Sequence, residues 1–584
     1  MKKNFYKIYK LLSRSERRSV FFLLALMVVG MFLEMIGIGL VVPVITLMIQ
    51  GDLIDSFPVI KSINAISGNL SNSEIIIVVM IGLVCVYAIK NIFLAYLIWK
   101  QSQFVYDVQV KLSNSLFSNY LLQPYTFHLQ RNSAELIRNV INETGNFTIA
   151  LTSMQLIITE FLVLIGVTFL LLLVEPLGAL IAGSVLGLFA WAFYYVTRKR
   201  MLSWGTDRQL HDGLRIQHLQ QGLGGAKDVK LLGRESDFLE QFNFHNLKSA
   251  RVTKLQSNLQ NYPRLMFELL AVIGLAILVI SMRSQGKDME EIIPLLGLFA
   301  AAAFRLMPSV NRILNSVQCL RYYLPVVETI DKEIRLTTPK PVTSSKEGVD
   351  VFRNEISIKN VMYQYPDSTK PALENISIDI SSGETIGIIG SSGSGKSTLV
   401  DVILGLLAPS SGYIEVDEND IQMSLRQWQD QVGYVPQTIY LTDDTLRRNI
   451  AFGIPEELIN NNSVENAIRA AQLDVFVSDL KYGFETIVGE RGVRLSGGQR
   501  QRIGIARALY HDPKVLVFDE ATSSLDSETE NSVMKTIMAL HGTKTILIVA
   551  HRLSTVEQCD RIYRLDNGRV IEAGEPKEII PTSI

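Results

Sequence analysis

Six apolar stretches, each long enough to cross a lipid bilayer, occupy the first part of the chain. A helix that spans the hydrocarbon core needs about 20 apolar residues. A core helix of a large soluble protein can imitate one such stretch, but six in succession predict a membrane domain. The stretches lie at 20–49, 74–100, 147–174, 177–200, 262–284 and 290–318.

The charges between these stretches predict how the chain is oriented. The link 50–73 carries Asp52, Asp55 and a single lysine, whereas 100–146 and 201–261 are rich in Lys and Arg. Because basic loops stay in the cytoplasm, we expect both termini and both long loops there. The basic N-terminus precedes an apolar run too long for a signal-peptide core, so the first stretch is predicted to be a span.

The helical apolar spacing continues through both long loops. This pattern predicts that membrane helices extend into the cytoplasm and turn through short transverse segments near 122–129 and 223–236. Such turns are suited to contact a cytoplasmic domain. A plain solvated loop is the alternative.

Ionisable residues inside or at the edge of the spans are candidate substrate-binding residues, because charges at such depth usually face a protein interior or a wet cavity. In one interpretation, acids and bases pair across helices and only stabilise the bundle. In the other, surplus arginines line a cavity and bind an anionic headgroup bidentately. The basic residues are Lys90, Arg264, Arg305 and Arg312, and the acidic ones are Glu34, Glu160 and Glu268.

Composition excludes two classes of function. The formal net charge is −1, so the chain has no general attraction for nucleic acid. Its three cysteines are far apart and match no metal-binding or redox spacing. We therefore expect neither a nucleic-acid partner nor a cysteine-based metal site.

The character of the chain changes after the last span. Residues 331–355 lose the apolar pattern and are predicted to be a linker between a membrane domain, 1–330, and a second domain, 356–584. The second domain alternates short strands with helices, as an α/β fold does.

The segment GSSGSGKST, between a short apolar run and a predicted helix, is a candidate ATP-binding loop. Its glycines allow backbone N–H groups to approach phosphate oxygens, and the helix N-terminus adds partial positive charge. Lys396 is placed to reach the β- and γ-phosphates, and Ser397 to offer its hydroxyl to Mg²⁺. The candidate residues are Gly390, Ser391, Gly393, Ser394, Gly395, Lys396, Ser397 and Thr398.

Five further residues follow predicted strands and complete a candidate hydrolysis site. Tyr365 is suited to stack on adenine, although an ordinary strand aromatic is the alternative. Asp519 is expected to support Mg²⁺, Glu520 to polarise the attacking water, and Gln437 to contact Mg²⁺ or that water. His551 is expected near the γ-phosphate, with a hydrogen-bonded core histidine as the alternative.

The segment LSGGQ lies between Gln437 and Asp519, just before a predicted helix. Small residues at a helix N-terminus form a second anion-binding surface. The candidate residues are Ser496, Gly497, Gly498 and Gln499.

These segments, from Tyr365 through LSGGQRQR and VLVFDEATSSLD to His551, resemble the motifs of ABC-transporter ATPase domains, in the same order. The whole chain resembles an ABC half-exporter. That resemblance implies an α-helical membrane bundle of six long transmembrane helices, the type IV exporter fold, fused to an α/β P-loop nucleotide-binding domain. It also implies a homodimer in which each ATP is held by the Gly390–Thr398 loop of one subunit and Ser496–Gln499 of the other.

A narrower resemblance concerns the substrate. EMIGIGLVVPVITL at 34–47 and FRLMPSVNRI at 304–313 resemble the bacterial flippases of lipid-linked oligosaccharides. This implies a multi-pass protein of the bacterial inner membrane, in contact with membrane lipids, with a short external helix within 50–73. It implies a lipid-linked glycan or another amphipathic anionic substrate, bound by the four basic residues, although lysine at 90 lacks bidentate geometry. The alternatives are an exporter of amphipathic drugs, lipids or peptides, and a regulatory protein that transports nothing.

Overall fold

The computed structural model describes residues 2–40, 44, 72–174, 176–284, 289–336, 352–366, 368–521, 527–550 and 552–580. They form two compact units. The first comprises Met1–Gln123 and Gln130–Thr338, and the second Pro124–Leu129 and Pro339–Ile584. The division falls inside the predicted linker, of which 337–351 lies outside the described residues, as does the predicted external helix within 50–73.

The described residues before the linker are helical and contain no strand. A π-helical turn, Asn139–Glu143, joins α5 to α6. The helices are α1 Lys2–Leu11, α2 Arg14–Gly39, α3 Asn72–Leu121, α4 Tyr125–Gln130, α5 Ser133–Arg138, α6 Thr144–Val174, α7 Pro176–Gly224, α8 Ala226–Leu232, α9 Glu235–Ser284, α10 Met289–Tyr322 and α11 Leu324–Ile334.

The six predicted spans fall on α2, α3, α6, α7, α9 and α10. Among the described residues, three helical segments are long and apolar enough to cross a membrane: Arg14–Gly39, Ile77–Leu121 and Ser133–Leu173. The capping box of Ser13 and Glu16 determines where α2 begins, because Ser13 N donates to Glu16 Oε2 at 2.6 Å and Glu16 N donates to Ser13 Oγ at 3.4 Å.

The predicted cytoplasmic extensions are present as continuous helices. Helices α3, α7 and α9 contain 50, 49 and 50 residues. At about 1.5 Å per residue, each is roughly 75 Å long, more than twice the hydrocarbon thickness of a bilayer. Short helices, α4 and α8, occupy the two predicted turns. Gly233, with a φ of +63°, ends α8 in the left-handed conformation.

The second unit contains two sheets. An antiparallel sheet has the order β2-β1-β4-β5, and a mainly parallel sheet has the order β10-β9-β3-β8-β7-β6. The strands are β1 Glu355–Tyr363, β2 Leu373–Ser381, β3 Thr385–Gly390, β4 Ser411–Val416, β5 Asn419–Asp420, β6 Val432–Val435, β7 Val515–Asp519, β8 Thr545–Val549, β9 Arg561–Asp566 and β10 Arg569–Gly574.

Helices of the second unit pack against the strands and build two hydrophobic cores. Strands β3, β7 and β8 are buried along almost their whole length, as expected for parallel strands covered on both faces. Trp428 is fully buried and donates from Nε1 to the Ile403 carbonyl at 2.7 Å. The helices are α12 Lys396–Ile403, α13 Leu425–Gln429, α14 Leu446–Ile450, α15 Asn461–Ala470, α16 Asp474–Ser478, α17 Gly497–Leu509, α18 Ser527–Met538 and α19 Pro576–Ile579.

Close packing of α7 against the end of α10 predicts a strict requirement for glycine at position 205. A Cβ added to Gly205 would overlap the backbone carbonyl oxygen of Tyr322, which a rotamer change cannot move. We expect Gly205→Ala to destabilise the first unit by about 1–3 kcal/mol or more, as overpacking does. The midpoint of thermal aggregation of the purified protein in detergent measures this loss.

Gly187→Ala is the matched control on the same helix. The added Cβ has no described atom within 4 Å, so alanine is expected to be neutral or slightly stabilising. Equal losses for the two variants would contradict the packing argument.

Candidate functional site

The glycine-rich loop connects the carboxyl end of β3 to the N-terminus of α12. Strand β3 pairs in parallel with β8 on one side and β9 on the other, so the loop opens at the strand ends. Gly393 and Gly395 have φ values of +80° and +102°, which favour glycine. A cavity of about 710 Å³ opens beside the loop. Its lining includes Tyr365, Gly393, Gly395, Lys396, Ser397, Thr398 and Glu520.

Lys396 is only 5% exposed, and its side chain closes the loop. Its Nζ donates to the carbonyl oxygens of Gly390 and Ser391, both at 2.9 Å. Burial lowers the pKa of Lys396, and the carboxylates of Glu520 and Asp519 oppose that shift. The arrangement therefore places a cation among acceptor oxygens at the helix N-terminus, as a phosphate-binding loop requires.

Asp519 ends the buried strand β7 and is 9% exposed. Burial raises its pKa, and the charge of Glu520 raises it further. Tyr434 donates from its hydroxyl to Asp519 Oδ2 at 3.5 Å, whereas Oδ1 is buried and has no hydrogen-bond partner among the described residues. The pKa of Asp401 on α12 is raised to about 6, mainly by burial and to a smaller extent by the charge of Asp519.

Glu520 follows Asp519 and has a φ of +49°, which turns the chain sharply after β7. Its N–H donates to the Val549 carbonyl at 3.0 Å, which anchors the turn to β8. Gln437 donates from Nε2 to Glu520 Oε2 at 2.7 Å. The structure thus brings together two side chains that are 83 residues apart in the sequence.

Tyr365 lies at the edge of the same cavity. Its hydroxyl is 3.2 Å from Thr398 Oγ1, and its ring packs edge-on against Tyr363 with centroids 5.0 Å apart. The aromatic ring therefore lies next to the loop, as an adenine-stacking residue would. His551 lies outside the described residues.

The donor set of this region suits a hard divalent cation. The oxygen groups of Ser397, Asp519 and Gln437 are the kind of ligand that Mg²⁺ prefers. The orphaned, buried Oδ1 of Asp519 is consistent with such a ligand. The described part of the chain contains no group of three or more His, Cys, Asp or Glu side chains in a metal-binding arrangement.

The LSGGQ segment forms the N-terminus of α17. Ser496 and Gln499 make a capping box, with Gln499 N donating to Ser496 Oγ at 3.2 Å and Ser496 N donating to Gln499 Oε1 at 2.9 Å. Residues Ser496–Gln499 are not among those that line the cavity beside Lys396. Gly497 instead lines a separate cavity of about 770 Å³, together with Gln437.

Several residues of the nucleotide-sized cavity were not predicted from the sequence. Lys370, Pro371, Asn567 and Gly568 also line it. The Gly568 N–H donates to the Ser394 carbonyl at 3.0 Å, so the β9–β10 turn supports the loop. The dipeptide Asn567-Gly568 signals a tight turn in the sequence, but nothing there indicates that the turn lies beside β3.

The structure places the predicted basic residues of the membrane domain in different surroundings. Lys90 and Glu34 form a buried pair, with Nζ 3.5 Å from Oε2 and side chains 10% and 6% exposed. Lys90 Nζ also lies 4.2 Å from the centre of the Tyr87 ring. This position fits the ion-pair interpretation.

Arg264 and Arg312 are more exposed. Arg264 pairs with Glu268 at 3.1 Å, and the Arg264 side chain is 75% exposed. Arg312 Nη1 donates to Glu160 Oε1 at 2.5 Å, and its side chain is 51% exposed although Glu160 is buried. The Arg305 side chain lies outside the described residues, although its backbone belongs to α10.

Known proteins match both units. Residues 373–523 match the family described as ABC transporter, and residues 18–301 match the family described as ABC transporter transmembrane region. The ATP-dependent lipid A-core flippase of Cupriavidus pinatubonensis is 32% identical over 480 residues, which cover 81% of this chain and 80% of that protein. The protein of the same name from Nitrosococcus oceani is 31% identical over 522 residues, which cover 87% of this chain and 84% of that protein.

A solved structure shares the fold. The structure described as a bacterial Atm1-family ABC exporter with ATP bound is 24% identical, has a TM-score of 0.77 and covers 96% of both chains. The type IV exporter fold predicted from the sequence is thereby confirmed. The chain belongs to the ABC transporter family and has the layout of an ATP-hydrolysing half-exporter, with one membrane domain and one ATPase domain in a single polypeptide.

Proposed function

We propose that this exporter flips a lipid-linked oligosaccharide, a polyprenyl pyrophosphate glycan, outward across the bacterial inner membrane. The resemblance of 34–47 and 304–313 to flippases such as PglK of bacterial N-glycosylation supports this substrate. Flipping a lipid is also the activity named for the relatives. Both termini and the ends of α7 and α9 that flank α8 lie in the cytoplasm, as the distribution of basic residues indicates.

The position of Arg312 is the main structural support for an anionic lipid as the substrate. Its guanidinium is half exposed, and it is held in place by buried Glu160, which also accepts from Ser309 Oγ at 2.7 Å. A guanidinium positioned in this way can bind phosphate oxygens through paired N–H groups. Arg264 pairs with Glu268 but is well exposed, so it remains accessible to a headgroup, and Arg305 is proposed to add positive charge. Lys90 is buried against Glu34 and is less accessible.

A lipid A-core molecule is the second candidate substrate, because the relatives at 29–32% identity are named as flippases of that lipid. Both candidates combine lipid chains, sugars and phosphate groups. The basic residues therefore fit either one, and a direct comparison of the two lipids distinguishes them.

The ATP site is proposed to work as follows. Lys396 and the backbone of Gly390–Thr398 bind the β- and γ-phosphates, and Tyr365 stacks on adenine. Ser397, Gln437 and Asp519 hold Mg²⁺, which neutralises phosphate charge when bound. Glu520, oriented by its hydrogen bond with Gln437, accepts a proton from the attacking water. His551 contacts the γ-phosphate.

A homodimer completes each ATP site in this proposal. Ser496–Gln499 do not line the cavity beside Lys396 of the same chain. The exposed N-terminus of α17 therefore serves the loop of the other subunit. Closure of the two ATPase domains moves α4 and α8, which transmit the motion to the membrane helices.

Replacing the proposed general base should separate ATP binding from hydrolysis. Glu520→Gln keeps the side-chain shape but removes the proton acceptor, so we expect near-normal ATP binding and a loss of turnover of about 10²–10⁴-fold. Steady-state ATPase assays and nucleotide-binding titrations measure the two properties. Glu457→Gln, at an exposed carboxylate of the same unit, is the control. Near-normal turnover in Glu520→Gln would exclude the proposed role.

Mixed dimers test whether the ATP site is shared between subunits. Lys396→Ala removes the loop cation, and Gly498→Asp places a carboxylate where phosphate should bind. Neither variant alone should trap nucleotide with vanadate. Co-expressed, they form mixed dimers in which both changes fall on one site and the other site is intact, so trapping should return. If each site belonged to one chain, the mixture would stay inactive.

The substrate is tested by flipping of a fluorescent polyprenyl-pyrophosphate glycan in proteoliposomes. We expect ATP-dependent flipping by the native protein. The double variant, with Arg305→Ala and Arg312→Ala, should lose flipping but retain ATP hydrolysis. Arg312→Lys should restore it only partly, because lysine lacks the planar pair of donors. Arg335→Ala is the control, since Arg335 is also a half-exposed arginine that pairs with an acid, in this case Asp331 at 2.7 Å.

Each other outcome points to a different substrate. Flipping of a lipid A-core molecule but not of the glycan would favour the second candidate. Flipping of neither lipid, with ATPase activity stimulated by hydrophobic cations, would favour an exporter of amphipathic drugs or peptides. ATP hydrolysis without movement of any substrate would favour a regulatory protein.

A further inference from the structure

Three histidines of the first unit meet on the predicted cytoplasmic parts of α7 and α9, and none of them is among the residues proposed for ATP or substrate binding. His211 and His218 lie on one face of α7, seven residues apart, and His245 lies on α9. The Nδ1 atoms of His211 and His245 are 2.9 Å apart. The His218 ring stacks on the His245 ring, with centroids 5.3 Å apart and planes 12° apart. We call these residues the histidine cluster.

The distance between the two Nδ1 atoms limits how many protons the pair can hold. A nitrogen–nitrogen distance of 2.9 Å is a hydrogen bond, which requires one proton between the two atoms. The bond tolerates one positive charge, because a charged ring can donate to its neutral neighbour. A second proton would place two donors and two like charges face to face.

The third histidine makes additional charge still less favourable. His218 Nδ1 is buried and has no hydrogen-bond partner among the described residues, so a proton there would have no acceptor. The pKa of His245 is lowered, mainly by burial and to a smaller extent by the charges of His211 and His218. The cluster is therefore stable when it carries few protons.

Asp212, the residue after His211 on α7, is already neutralised by basic partners. It lies 3.6 Å from Arg208 and 3.5 Å from Arg215, and it accepts from Ser249 of α9 at 2.7 Å. Arg215 also donates to Asn246 of α9 at 3.2 Å. Asp212 thus joins the two helices without supplying spare negative charge to the cluster.

The other described charges on these helices and on the elements packed against them have both signs, and the acids include the exposed Asp207 on α7 and Glu240 on α9. On α9, Lys248 Nζ lies 5.6 Å from the centre of the Phe244 ring. From α5, Arg138 donates to the Gln209 carbonyl of α7 at 3.3 Å. Glu143, in the π-helical turn, lies 3.6 Å from Arg138 and 4.0 Å from Arg208, which balance it. The charges that act on His245 are those of His211 and His218, so cations that formed on the histidines would repel one another.

We propose that the histidine cluster is a proton-sensitive contact that holds the cytoplasmic ends of α7 and α9 together at neutral pH and separates them when the cytoplasm becomes acidic. Helix α8 is the segment of the chain that joins these two ends, so their separation changes how α8 is held. A slower transport cycle at low pH follows if α8 has the coupling role proposed above. The separation itself does not depend on that role or on the substrate.

The direction of the pH effect follows from the pKa of His245. In an unfolded chain a histidine titrates near pH 6.5, and in the folded protein the pKa of His245 is lower. The unfolded or opened state therefore binds more protons as the pH falls. The contact contributes its full stability above about pH 6.5 and loses it as the pH falls below that value.

Hydrogen–deuterium exchange of the full-length protein in lipid nanodiscs tests the contact. We expect amides of 205–250 to exchange faster at pH 5.8 than at pH 7.5, after correction for intrinsic rates, by up to about tenfold per pH unit. The leucine pair, the double variant with His211→Leu and His245→Leu, removes the hydrogen-bonded pair and leaves only His218 to titrate, so its pH response should be much smaller than that of the native protein. His511→Gln, at an exposed histidine of the ATPase unit, should respond like the native protein.

Three results would overturn the proposal. One is exchange of 205–250 in the native protein that does not change between the two pH values. The second is an equal pH response in the native protein and the leucine pair. The third is faster exchange at pH 7.5 on addition of EDTA, reversed by Zn²⁺, which would make the cluster a metal site. ATPase activity measured across the same pH range, in native protein and the leucine pair, shows separately whether the contact affects turnover.

Discussion

The buried ammonium group of Lys396 is the interaction on which the ATP-binding half depends. A cation that is 5% exposed is costly unless oxygen atoms and negative charges compensate it. The glycine loop supplies two carbonyl oxygens at 2.9 Å, and the end of β7 supplies Asp519 and Glu520. One charge therefore ties the loop to β7, two strands away in the sheet. A phosphate group is a natural replacement for these oxygen partners.

Much of the fold follows from local sequence patterns. Apolar length predicts the spans, glycine spacing predicts the loop between β3 and α12, and acidic residues after an apolar run predict the end of β7. These predictions succeed because each one depends on interactions among residues within about 20 positions of one another in the sequence. The capping box at Ser496 and Gln499 is another local pattern, and it occupies the side chains that were predicted to contact nucleotide.

Contacts between distant segments were less predictable. Lys90 pairs with Glu34, which is 56 residues away in the sequence. The sequence alone did not show whether Lys90 forms an ion pair or lines a cavity. The turn at Asn567 and Gly568 lies beside the loop only because β9 pairs with β3. The histidine cluster, likewise, exists only because α7 and α9 pack antiparallel along their cytoplasmic parts. Each depends on a relative position of elements that periodicity does not encode.

The π-helical turn at Asn139–Glu143 has a consequence for how such proteins can be recombined. An α-helix advances about 100° per residue, so one residue more or less within this turn would rotate α5 against α6 by that angle. Arg138 would then turn away from Glu143 and from the Gln209 carbonyl of α7. A chimaera that joins the cytoplasmic end of one exporter to the membrane helices of another therefore has to preserve the residue count here, even where the amino acids differ.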